Sequence, residues 1–130
     1  MKPNESLPQP TPAELSILRV LWQRGSATVR EVADDLNRDK AMGYTTVLKL
    51  LQIMTEKGLV LRNETGRAHV YQSVQPQEAA QTRMVGDLVE KMFSGSAQKL
   101  VMHALNTHKA SPQEMAEIRR LLDEMERGNS

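Results

Sequence analysis

Apolar residues recur at helical spacing from the eleventh position onward, and most of these runs carry their own start signal. Thr11-Pro12-Ala13-Glu14 sets a capping threonine, a first-turn proline and a glutamate in the order of a capping box. Leu15, Leu18, Leu21 and Trp22 then share one face, and Arg24-Gly25 ends the run. Thr28-Val29-Arg30-Glu31 repeats the box, with Val29, Val32, Ala33 and Leu36 as its apolar stripe. Asn37 to Met42 reads as a polar connection, and a third helix is predicted over Gly43 to Lys57 with Gly58 as its stop. The period then changes. Leu59 to Asn63 and Ala68 to Ser73 have the length of strands, and Glu64-Thr65-Gly66-Arg67 between them fits a hairpin loop. Helical spacing returns after Pro76, in a stripe of Met84, Val85, Leu88, Val89 and Met92 that breaks at Phe93-Ser94-Gly95-Ser96. Leu100, Val101, Ala104 and Leu105 predict a fifth helix. Ser111-Pro112-Gln113-Glu114 caps a last one bearing Met115, Ile118, Leu121, Leu122 and Met125.

This order predicts a mainly α chain with a small β-hairpin: a winged helix-turn-helix domain followed by a helical region. The boundaries read as a disordered lead at 1–10, a winged-helix domain at 11–75, a helical dimerisation region at 76–127 and a short tail at 128–130. The second part spans three amphipathic helices. A piece below about 60 residues rarely buries enough surface to stand alone. Its stripes call for a partner, and a second copy is the economical one, since two-fold dimers dominate soluble oligomers. The dimerisation residues are then Met84, Leu88, Met92, Leu100, Val101, Leu105, Ile118, Leu121, Leu122 and Met125. Met at such positions reads as seam or core in preference to an adaptable ligand groove.

Composition narrows the function. Aromatics are only 3% of the 130 residues, so the core is aliphatic, with Trp22 expected against the first part. There is no cysteine, which removes disulfides, thiolate metal sites and cysteine nucleophiles together. No apolar run approaches the ~20 residues of a membrane span. The opening segment, with its three prolines among ten residues, is no signal peptide, and a cytoplasmic protein with no membrane insertion is expected. Net charge is only +1. Residues 1–75 hold ten Lys/Arg against eight Asp/Glu, residues 76–130 seven against eight, and no acid occurs from Lys40 to Thr55.

That acid-free stretch holds the candidate chemistry. On the third helix, Val47, Leu50, Leu51 and Met54 would face the first two helices, leaving Thr45, Thr46, Lys49 and Gln52 outward. Hydroxyls and a lysine near a helix start suit phosphates and base edges, though a plain solvated face is the bland alternative. Arg67 at the hairpin tip, with Arg62 and His69 on its strands, is placed for a phosphate or the minor groove. Lys40 is a further phosphate candidate. His103 and His108 are five apart, which does not share a helix face, and no metal site or cofactor is predicted. No nucleophile elbow, phosphate-cradling loop or acid–base pair is visible, so no enzyme is expected. A protein-interaction adaptor with this shape, or a histidine-based metal-sensing regulator, are the rival readings.

Thr11-Pro12-Ala13-Glu14, Leu21-Trp22, Tyr44-Thr45-Thr46-Val47, Leu50-Leu51, Lys57-Gly58-Leu59, Gly66-Arg67, Tyr71 and Phe93-Ser94-Gly95-Ser96 before Leu100-Val101 resemble the penicillinase-repressor family. That family includes the β-lactamase, methicillin-resistance and copper-responsive repressors of bacteria. The resemblance runs from Thr11 to Met125. It implies a homodimer that occupies a palindromic double-stranded DNA operator and represses transcription. It puts Tyr44, Thr45, Thr46 and Lys49 on the recognition helix and Arg67 on the wing, and it suggests a membrane metalloprotease or another inducer system as partner. The chain also departs from the family. It lacks the C-terminal cysteine cluster of the copper-responsive members. The Asn-Phe bond cleaved in β-lactam-responsive members falls near His103-Ala104, where neither residue matches, so the resemblance by itself does not imply the same cleavage. Ile53 stands where many members have a basic residue.

Overall fold

The structure, a computed structural model, describes residues 9–38, 42–64 and 66–128. Lys40, most of the lead, Thr65 of the hairpin loop and the last two residues lie outside them. The elements are α1 (Pro12–Arg24), β1 (Ala27–Thr28), α2 (Val29–Asn37), α3 (Tyr44–Lys57), β2 (Val60–Asn63), β3 (Val70–Ser73), α4 (Gln77–Met92), α5 (Ala97–Thr107) and α6 (Pro112–Gly128). The chain divides into two compact units inside α4, between Val85 and Gly86.

In the first unit, α1 and α2 start as their sequences dictate. The Thr11 hydroxyl accepts from the Glu14 backbone N–H (3.2 Å) while the Glu14 carboxylate accepts from the Thr11 N–H (2.9 Å), and Thr28 and Glu31 repeat this at the same two distances. The stripes bury what was expected and more. Ile17 and Val20 join Leu18 and Leu21, so α1 contributes a wider apolar face than the Leu15–Trp22 spacing suggested. Val32, Val47, Leu51 and Met54 are wholly buried with Ile17 at the junction of the three helices. Trp22 packs partly buried against this core, and its indole N–H donates to the Gln75 carbonyl at 3.1 Å.

The hairpin is present, with β2 starting one residue and β3 two residues later than predicted. It belongs to a three-stranded antiparallel sheet in the order β1-β3-β2. Val60 pairs with Ser73 and Asn63 with Val70, while β1 adds Ala27 opposite Tyr71. The two-residue β1 was not foreseen, because a pair of residues shows no period and its pairing is with a strand far along the chain. Its effect is to seat Tyr71, 1% exposed, over the helical core.

The second unit comprises the end of α4 with α5 and α6. Ser96 caps α5 by accepting from the Lys99 N–H (3.2 Å), and Ser111 with Glu114 forms the third capping box (3.0 and 3.1 Å). The Phe93 and His103 rings lie 5.4 Å apart between centroids. No residue from 86 to 128 is buried.

Candidate nucleic-acid interface

α3 is two-sided. Val47, Leu51 and Met54 are 0% exposed, whereas Tyr44, Thr45, Thr46, Lys49 and Gln52 all lie exposed on its other faces. The buried side fixes the helix to α1 and α2, so the outward side is held rigidly. Its start differs from those of α1 and α2. Gly43 occupies the cap position and supplies no side-chain acceptor, and the first helical bond runs from the Val47 N–H to the Gly43 carbonyl at 3.1 Å. The amides of the first turn therefore point outward uncapped by Gly43, at the positive end of the helix dipole, beside the Thr45 and Thr46 hydroxyls. That combination attracts an anion such as phosphate.

The end of α3 is equally defined by sequence. Gly58 takes φ 82°, the left-handed region glycine enters without a Cβ penalty, and Leu59 N–H bonds the Met54 carbonyl at 2.9 Å. This reversal turns the chain directly into β2 and aims the hairpin. At the tip, Gly66 also has a positive φ of 96°, and Arg67 beside it is exposed.

The cations of this surface differ in their surroundings. Arg62 is engaged by Glu64 at 2.8 Å, and His69 lies 3.8 Å from the same carboxylate. Among the described residues, neither Lys49 nor Arg67 has a carboxylate within ion-pair distance. Of the sequence candidates, α3 thus brings Tyr44, Thr45, Thr46, Lys49 and Gln52 onto one element, Arg67 stands on the hairpin, and Arg62 is held by its neighbour. Lys40 lies outside the described residues.

Two of the three acids of the neighbouring α2, Glu31 and Asp35, are occupied. Arg24 grips Asp35 through two bonds of 2.8 and 2.9 Å and reaches Glu31 at 3.4 Å. The Arg24 hydrogen bond holds the Asp35 carboxyl below its ordinary range, and the Thr28 backbone N–H does the same for Glu31. One residue that sequence reasoning passed over also belongs to this surface. Arg30, on the first turn of α2, places its guanidinium carbon 5.1 Å from the centroid of the Tyr44 ring. The signal in the sequence was a cation in the first turn of a helix, where the dipole disfavours it.

In the second unit, His103 packs on Phe93 and the His108 ring lies 3.2 Å from the hydroxyl of its neighbour Thr107. No group of three His, Asp or Glu gathers at a metal-binding distance among the described residues. No helix among them is long and apolar enough to cross a membrane.

Three helices, a short sheet and a wing define the first unit as a winged-helix domain. It matches the solution structure titled as the DNA-binding domain of the repressor BlaI with a TM-score of 0.50 and 27% identity, over 55% of this chain and 87% of that one. The chain belongs to the penicillinase repressor family, whose model matches residues 10–124. Its relatives include the transcriptional regulator BlaI of Mycobacterium tuberculosis, 34% identical over 89% of this chain and 84% of that protein. The penicillinase repressor of Bacillus licheniformis is 22% identical over 92% and 94% of the two chains. The methicillin resistance regulatory protein MecI of Staphylococcus aureus is 19% identical over 85% and 90%.

Proposed function

We propose that this protein is a dimeric, sequence-specific DNA-binding transcriptional repressor that lays α3 in the major groove and its wing on the adjoining backbone. One observation carries the reading. The Thr45, Thr46, Lys49 and Gln52 face is exposed on a helix whose other side, Val47, Leu51 and Met54, is fully buried. A reader of base edges needs that rigidity, because a bidentate or hydroxyl contact discriminates only when its donor cannot shift. The uncapped first turn of α3 adds phosphate attraction, and Arg67 adds a second anchor on the wing.

Dimerisation follows from the second unit. Leu88, Met92, Val101, Leu121, Leu122 and Met125 are 40 to 69% exposed there. Leu100, Leu105 and Ile118 are half-buried, as is Met84 in the first unit. An apolar set of this size left in water is unfavourable by roughly 25 cal/mol for each Å² that a partner would cover. A second copy supplies a matching face, and a two-fold dimer implies a palindromic operator with half-sites about 10 bp apart or a multiple of that. A dimer seated across a promoter represses by excluding polymerase, which places the protein's work in the cytoplasm.

The test is a mobility-shift series across salt concentrations on a duplex that the wild-type protein selects from a random pool. Lys49→Ala and Thr46→Ala are expected to weaken binding unequally across base-substituted duplexes. Arg67→Ala is expected to weaken it evenly and to lower the salt slope by about 0.9. Unchanged affinity in all three variants would refute the assignment.

A further inference from the structure

Arg30 stands apart from the other cations of the first unit. It is exposed, on the first turn of α2, where the positive end of the helix opposes a positive side chain. Among the described residues no carboxylate lies within ion-pair distance of it. The adjacent acid, Glu31, is already taken by the Thr28 N–H at 2.9 Å and by Arg24 at 3.4 Å. What Arg30 does have is the ring of Tyr44, with its guanidinium carbon 5.1 Å from the centroid. Tyr44 opens α3 and is 44% exposed.

A guanidinium resting on an aromatic face keeps its in-plane N–H groups free, and these form the fork that grips a phosphate. The stack joins the two helices of the helix-turn-helix at their starting ends. There the first of the pair crosses the nucleic-acid backbone while the second enters the groove.

We propose that Arg30 is an additional phosphate-gripping residue, and that the Tyr44 ring acts as the platform orienting it, tying the register of α3 in the groove to the backbone beside it. The proposal rests on the DNA-binding reading above, and the experiment separates the two. Affinity for the selected duplex is measured across salt for the wild type, Arg30→Gln, Arg30→Lys, Tyr44→Leu and the Arg30→Gln/Tyr44→Leu double variant, with Lys49→Ala as reference. Arg30→Gln is expected to bind about three- to tenfold more weakly at low salt, evenly across base-substituted duplexes, with the slope reduced by about 0.9. Arg30→Lys is expected to keep the wild-type slope, because the charge remains. Tyr44→Leu is expected to reproduce part of the Arg30→Gln loss, and the double variant to fall short of the sum of the two.

Arg30→Gln with wild-type affinity and slope, while Lys49→Ala still weakens the complex, overturns the proposal and leaves the DNA-binding reading standing. A loss confined to one base pair overturns the phosphate assignment, and strict additivity in the double variant overturns the platform. A wild-type protein that selects no duplex removes both readings together.

Discussion

Glu14 shows how much one side chain can be asked to do. It closes the capping box of α1, and it is 2% exposed while its carboxylate accepts from the Lys57 ammonium at 2.9 and 3.0 Å. Burial pushes its carboxyl up. The Thr11 backbone N–H and then the Lys57 ammonium outweigh that and hold it below its ordinary value of 4.5. A carboxyl lowered in the folded state stabilises the fold above its unfolded value, and that contribution disappears as pH falls through the folded one. The wild-type protein is therefore expected to lose stability on acidification below about pH 4.5. Glu14→Gln is expected to be less stable by about 2 kcal/mol at pH 7, with a flatter dependence in that acid range. Denaturant melts at pH 7 and pH 3.5 measure both, and parallel pH profiles for the two proteins would exclude this role. Because Lys57 ends α3, the pair also ties the start of one helix to the close of another.

Among the elements, α3 depends most on its two ends and its buried side. Leu51 is 0% exposed at the centre of the core. Leu51→Ala is expected to cost about 3 kcal/mol through lost burial and the cavity left behind. The exposed Thr45 and Lys49 would remain in place at temperatures where the variant is folded, so DNA affinity there should change much less than stability. Gly58→Ala tests the other feature. A left-handed φ at a residue with a Cβ costs about 1–2 kcal/mol, and the strain lies where α3 turns into the wing. A thermal melt superimposing on that of the wild type would show that this turn tolerates a side chain.

At the level of the whole molecule, the two units differ in how their apolar surface is used. The first seals fifteen buried side chains into one cluster. The second, the end of α4 with the capped helices α5 and α6, has no buried residue among those described. Local signals suffice to start a helix, but burial needs facing surface, and one copy of a unit this short offers little. Under the proposed dimer, Leu122→Glu, at a position 53% exposed, is expected to leave the helices intact and shift the protein from dimer to monomer. Sedimentation velocity and circular dichroism read the two consequences. A variant that stays dimeric would move the seam elsewhere. Loss of the dimer should also weaken operator binding by tenfold or more, since paired half-sites act through effective concentration.

Much of this protein was legible in the sequence. Capping boxes at Thr11, Thr28 and Ser111, and stops at Gly25 and Gly58, are local chemistry, so the helix ends they mark and the hairpin could be read within two residues, while α5 was seen only through its stripe from Leu100 to Leu105. The change of period after Gly58 marked the wing, and the two faces of α3 followed from spacing alone. Tertiary structure decided what lies far apart along the chain. The strand Ala27–Thr28 exists only because β3 arrives beside it. Glu14 and Lys57 are 43 residues apart, and no periodicity links them. Arg30 meets Tyr44 only once α2 and α3 are packed. Hydrogen bonds of the local backbone and the alternation of apolar residues are encoded within a few positions, whereas charge partners and short strands are fixed by loop closure and packing, which no window of sequence contains.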